Sequence, residues 1–164
     1  KFYHDMKRWS FHLQIYFLSH RFRTHKAMIE QPGSAIQDRT IYEDVEIFAR
    51  NLHEMGNMDK IDWENYCSLF TEMMSYLKAP DLIIYLRATV DTLITRIKKR
   101  SRDYEKTIDP EYLHRLNISY DKWIKKEQEK SNVMIIETDD FNVFEDIDKL
   151  NAYLDEIRER LGIE

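Results

Sequence analysis

Two stretches, DLIIYLRA (Asp81–Ala88) and NVMIIET (Asn132–Thr138), are apolar at consecutive rather than alternate positions. A strand that is apolar on both faces needs cover on both, and parallel sheets flanked by helices provide it. Between and around these stretches lie helical patterns, so the chain is expected to alternate strands with long helical crossovers. The fold class this predicts is α/β with a parallel sheet, rich in helix.

Apolar spacing places the helices. Trp9, Phe11, Leu13, Ile15, Tyr16, Leu18 and Phe22 predict one long, extensively buried helix from about Asp5 to Met28. QPGS (Gln31–Ser34) signals a turn, and Ala35–Gln37 after it reads as a short first strand. Helices are expected over Thr40–Met55 and Asp62–Leu77, the second with Asp62 as N-cap and Ala79–Pro80 as its stop. Further helices are expected over Asp91–Arg100, Glu111–Glu129 and Phe144–Leu161. At 164 residues a single domain is expected.

Composition narrows the partners. A net charge of -5 argues against a general nucleic-acid binder, whose many phosphate contacts call for a basic surface. The single cysteine, Cys67, excludes a disulfide framework and a cysteine-rich zinc site, and the six histidines show no ligand-like spacing. No run of 18 apolar residues and no signal-peptide core appear, so no membrane partner is expected and the cytoplasm is the expected location.

Against this background two polar features stand out. Asp38 and Arg39 follow the first strand candidate, and the carboxyl ends of parallel strands are where ligands sit in α/β folds. They offer a carboxylate for magnesium and a cation for phosphate or hydroxyl, although a structural salt bridge would use the same residues. The second feature is the basic run Arg96, Lys98, Lys99, Arg100 and Arg102. Arg96 and Arg100 share a helix face, and their like charges call for an anion or carboxylate. A solvated helix end complementing the dipole is the plain structural reading, and a guanidinium clamp on transferring phosphates is the functional one. Gln14 lies among apolar neighbours, where an unpaired amide is costly, so a polar ligand or a backbone partner is expected for it.

The segments FYHDMKRWSFHLQIYFLSHRF, QDRTIYEDVEIF, PDLIIYL followed by RIKKRSRDYE, and ETDDF resemble, in order and spacing, the deoxynucleoside kinase family, of the bacterial deoxyadenosine and deoxyguanosine kinase type. The resemblance covers essentially the whole chain. It implies a P-loop NTPase-like, three-layer αβα fold, with ATP and magnesium used to phosphorylate the 5′-hydroxyl of a deoxynucleoside in nucleotide salvage. Purines would be preferred, with deoxyadenosine first. By the same resemblance Gln14, Arg21 and Asp44 would contact the base, and Tyr3 with Glu105 the sugar 3′-hydroxyl. Asp38-Arg39-Thr40 matches the family's Glu-Arg-Ser motif with Asp for Glu and Thr for Ser. It implies Asp38 on magnesium and Arg39 at the reacting 5′-oxygen. Residues 96–106 would form a lid in which Arg96, Arg100 and Arg102 clamp the ATP phosphates, Arg96 and Arg100 being nearest the transfer. Asp139, Asp140 and Phe141 would surround the ATP adenine, largely through main chain. Helices in 40–77 would build a homodimer.

The sequence departs from the family pattern in one respect. It holds no G-x-x-x-x-G-K-[ST], and its three glycines leave no room for a disguised one. The family's P-loop, first strand and general base lie upstream of the segment matched here. The expectation is therefore an N-terminally incomplete kinase domain over 1–164 that is inactive by itself. Two alternatives remain at this stage: a thymidylate kinase, which also pairs Asp and Arg after a strand, and a non-catalytic kinase-derived interaction module. The resemblance makes one assignment directly testable. Glu105→Ala is expected to raise the Michaelis constant for deoxynucleosides while barely affecting 3′-deoxy analogues, and equal losses for both would contradict the 3′-hydroxyl role.

Overall fold

A computed structural model describes residues 2–102 and 108–163, with the Tyr3 side chain excepted. The chain divides into two compact units, Lys1–Ala79 and Pro80–Glu164.

The first unit is helical. A 3-10 turn, Phe2–His4, leads into α1 (Met6–Glu30), which Asp5 caps by accepting a hydrogen bond from the Arg8 amide at 3.1 Å. Then follow α2 (Ile41–Glu43), a π-helical segment (Asp44–Ala49), α3 (Arg50–Glu54) and α4 (Lys60–Met74). Thr40 starts α2, its amide donating to Glu43 Oε2 at 2.6 Å. Leu18, Ile41, Val45, Ala49, Leu52, Met58 and Tyr66 make the buried core that joins α1, the π segment and α4.

The second unit carries the sheet. β1 (Ile83–Arg87) and β2 (Val133–Glu137) are parallel, in register from Ile83 opposite Val133 to Arg87 opposite Glu137. A parallel pair cannot be joined by a hairpin, and the crossover here runs through α5 (Val90–Arg100) and α6 (Pro110–Glu127). Thr89 caps α5, while Asp109 with Pro110 at the first helical position starts α6, the placement proline favours. Helix α7 (Ile147–Leu161) ends in Gly162 at φ 63°, a left-handed C-terminal cap that glycine adopts without penalty.

Three expectations need correction. Ala35–Gln37 forms no strand: among the described residues the sheet has two strands, Ile36 is fully exposed, and a three-residue run without a ladder partner has nothing to hold it extended. The N-cap of α4 is Asp59, which accepts from the Asp62 amide at 2.8 Å, so Asp62 sits inside the first turn. Helix α1 is not extensively buried. Ser10, Gln14, Leu18 and His25 form its buried stripe, whereas Tyr16 is 63% exposed.

Leu18 has no exposed surface and lies where α1 meets the rest of the first unit's core. Leu18→Ala is expected to cost about 2–5 kcal/mol, the range for a cavity that its surroundings only partly refill. Denaturant unfolding of the variant checks this, and a loss below about 1 kcal/mol would show that the site collapses without cost.

Candidate active site

In the first unit the sequence-expected residues Gln14, Arg21, Asp38, Arg39 and Asp44 come from three neighbouring pieces of chain. Gln14 lies on the buried stripe of α1, 4% exposed, and its Oε1 has no hydrogen-bond partner. Arg21, two turns further, connects the other three. Its Nη1 donates to the backbone carbonyls of Asp38 at 3.2 Å and Arg39 at 3.3 Å, and its Nε lies 3.5 Å from Asp44 Oδ2. At that length the last contact is an ion pair and not a good hydrogen bond, and Nε and Oδ2 both remain buried without a hydrogen-bond partner.

Asp44 opens the π-helical segment and is 3% exposed. Short π segments are frequent at functional sites because the extra residue re-aims side chains. Burial pushes the Asp44 carboxyl from its ordinary 3.8 up to about 6, against the lowering effects of Arg21 and Arg39. Arg39 has φ 60°, a left-handed conformation that costs a non-glycine residue roughly 1–2 kcal/mol. Two hydrogen bonds from Arg21 secure the turn, and the Arg39 guanidinium lies over the Phe48 ring, 5.0 Å from its centroid. Phe48 thereby orients a site residue.

Asp38 is exposed, and no group of three histidine, cysteine or acidic residues among the described residues could hold a metal ion. That donor set does not suit an all-protein metal cage. It does suit magnesium, which keeps several waters and takes one or two carboxylates together with substrate phosphates.

The second unit gathers a different set. Arg96 on α5 donates through Nη1 to Thr138 Oγ1 at 2.9 Å and through Nη2 to the Thr138 carbonyl, which anchors its guanidinium at the end of β2. Thr138 in turn donates from its amide and hydroxyl to the Arg87 carbonyl, at 2.8 and 2.9 Å. Asp139 Oδ1 accepts from the Thr89 amide and hydroxyl, both at 2.9 Å, so its side chain braces the start of α5. Hydrogen bonds from Thr92 and the Thr89 backbone hold its carboxyl below the ordinary value. The Asp140 carbonyl receives Lys149 Nζ at 3.5 Å, and Phe141 meets Tyr153 edge to face at 5.2 Å. Arg100 ends α5, and Ser101 follows in a left-handed conformation. Arg102 is exposed. Glu105 and the Tyr3 side chain lie outside the described residues. Thr89 and Thr138 were not anticipated from sequence, since they act on groups about 50 residues away.

The family model for deoxynucleoside kinases matches residues 1–161. The deoxyadenosine/deoxycytidine kinase of Bacillus subtilis (strain 168) is 38% identical over 159 residues, covering 96% of this chain and 73% of that protein. The deoxyadenosine kinase of Dictyostelium discoideum is 42% identical over 124 residues, 76% of this chain and 50% of that protein. Among solved structures, deoxyadenosine kinase from M. mycoides with bound dCTP superposes with a TM-score of 0.79 at 30% identity, over 94% of this chain and 78% of that one. The chain belongs to the deoxynucleoside kinase family, whose fold is the P-loop NTPase-like α/β fold. Among the described residues no helix is long and apolar enough to cross a membrane.

The position of Asp44 makes a prediction about stability. Its folded value lies above its unfolded one, so the stability it contributes is fully present below about pH 3.8 and is lost as pH rises through about 6. Roughly two units at about 1.4 kcal/mol each make about 3 kcal/mol. Asp44→Asn is therefore expected to gain up to about 3 kcal/mol relative to wild type between pH 3.5 and pH 7. Denaturant unfolding at several pH values checks it, and a pH-independent difference between the two proteins would refute the burial argument.

Proposed function

We propose that this chain forms the nucleoside-binding and phosphate-handling part of a kinase that transfers the γ-phosphoryl group of ATP to the 5′-hydroxyl of a deoxynucleoside in salvage, with deoxyadenosine the first candidate. The observation that carries this reading is the set of buried Gln14 and Asp44 with half-buried Arg21, whose buried unpaired polar atoms lie in a chain that matches the family over residues 1–161. Buried groups without partners in a folded protein call for an explanation, and a base edge with donors and acceptors of its own supplies one.

In this reading Gln14 and Asp44 hydrogen-bond the base and Arg21 keeps Asp44 ionised. Tyr3 and Glu105 hold the 3′-hydroxyl. Arg39 attends the 5′-oxygen as it gives up its proton to the kinase's general base and bonds to the γ-phosphorus, while the bond from the γ-phosphorus to the β-phosphate oxygen breaks and ADP leaves. Asp38 would hold magnesium, which supplies charge neutralisation on the phosphates. Arg96, Arg100 and Arg102 bind phosphate oxygens, and Arg96 would exchange its Thr138 contacts for them. Asp139, Asp140 and Phe141 face the ATP adenine chiefly through backbone. Helices in 40–77 pair two copies, and the cytoplasm supplies the substrates. Residues 1–164 contain no G-x-x-x-x-G-K-[ST] cradle for the β- and γ-phosphates.

Arg39 is the sharpest test of the chemistry. Arg39→Ala should lower turnover roughly 100- to 1,000-fold, the cost of removing one donor aimed at developing charge, with less than about a threefold change in nucleoside affinity. Steady-state kinetics with deoxyadenosine and ATP, paired with calorimetric nucleoside titration, separates the two. Unchanged turnover would remove Arg39 from the reaction, and absence of phosphorylation of any deoxynucleoside by the wild-type protein would overturn the function itself.

A further inference from the structure

Tyr66 on α4 has no exposed surface, and its hydroxyl is buried without a hydrogen-bond partner. A phenol in an apolar core gains nothing over phenylalanine unless its O–H finds an acceptor. The core in which it sits includes Val45, the residue after Asp44, and α4 packs on the π segment that Asp44 opens. Asp44 Oδ2 is a buried acceptor that also lacks a hydrogen bond. One buried donor without an acceptor and one buried acceptor without a donor thus occur on two elements in direct contact. The Asp44 charge also acts on the Tyr66 hydroxyl, adding to the burial that pushes this phenol well above its ordinary range.

We propose that Tyr66 is a positioning residue for Asp44: its hydroxyl donates through one buried water to Asp44 Oδ2 and helps fix the carboxylate that Arg21 pairs. This inference rests on the proposed role of Asp44 in base recognition only for its functional consequence. The charged and titratable groups acting on Asp44 are Arg21 from α1, Arg39 before α2, its neighbour Glu43, and Tyr66 from α4. A donor to a carboxylate favours its ionised form. Losing that donor should therefore make Asp44 harder to ionise.

The test is Tyr66→Phe in the full-length protein, with the Asp44 carboxyl followed by carbon-13 NMR in the absence of ligand and assigned through Asp44→Asn. The expected result is an upward shift of the Asp44 titration midpoint by about one pH unit, a tenfold change in its acid constant. An unchanged midpoint in a folded variant would overturn the proposal, because a merely space-filling Tyr66 leaves Asp44 untouched. Thermal unfolding supplies a second arm. A hydroxyl with no partner is a burden, so Tyr66→Phe would then be neutral or stabilising, whereas a hydroxyl bonded to Asp44 makes the variant less stable at pH 7, and no longer so in the Asp44→Asn background. If the wild-type protein binds deoxynucleosides, Tyr66→Phe should also raise KM three- to tenfold with kcat unchanged. Failure of the wild type to bind them would count against the proposed function while leaving the NMR result to decide the role of Tyr66.

Discussion

One guanidinium organises the first unit. Arg21 reaches from α1 to two consecutive backbone carbonyls, those of Asp38 and Arg39, and to the buried carboxylate of Asp44. Without it the left-handed turn at Arg39 would have no side chain holding its carbonyls, and Asp44 would be a buried charge facing Glu43 with Arg39 as its remaining cation. The geometric fork of arginine suits this task, since separate N–H groups can serve separate acceptors while the charge is shared. A lysine could supply the charge but not the spread of donors.

The arrangement is expensive for the fold taken alone. Burying Asp44 disfavours its ionised form, and the ion pair that offsets part of this cost is long. Apolar residues of similar volume often replace buried ion pairs without loss of stability. Retaining Gln14 and Asp44 buried beside Arg21 with unsatisfied atoms makes sense where a polar ligand completes the network, and strain or unpaired groups collect at functional sites for that reason. In the proposed function that ligand is the base of a deoxynucleoside, with donors and acceptors along one edge.

Much of the architecture was legible in the sequence because it depends on local pattern. The consecutive apolar residues of Ile83–Arg87 and Val133–Glu137 announced parallel strands, and both are there in register. The helices followed from apolar spacing to within a few residues at their ends. What failed had non-local or degenerate causes. Ala35–Gln37 is too short to be a strand without a neighbour, and a three-residue pattern says nothing about neighbours. Asp59 and Asp62 are equally good caps by residue type, and only the hydrogen bond distinguishes them. The stripe on α1 is narrower than its many apolar residues suggested, since Tyr16 and Phe17 face outward. Within the site, residue types were readable and their partners were not. The carbonyls that Arg21 grips carry no sequence signature, and nothing near Asp44 announces a π segment. Thr138 lies 42 residues from the arginine it anchors.

The central claim is that the Arg21-organised cluster is where a deoxynucleoside base is read. The most direct measurement is a crystal structure of the full-length protein with deoxyadenosine bound. The account predicts the base edge within hydrogen-bonding distance of Gln14 and Asp44, with the 5′-hydroxyl toward Arg39. A nucleoside bound elsewhere, with no base atom within hydrogen-bonding distance of Gln14 or Asp44, would contradict it.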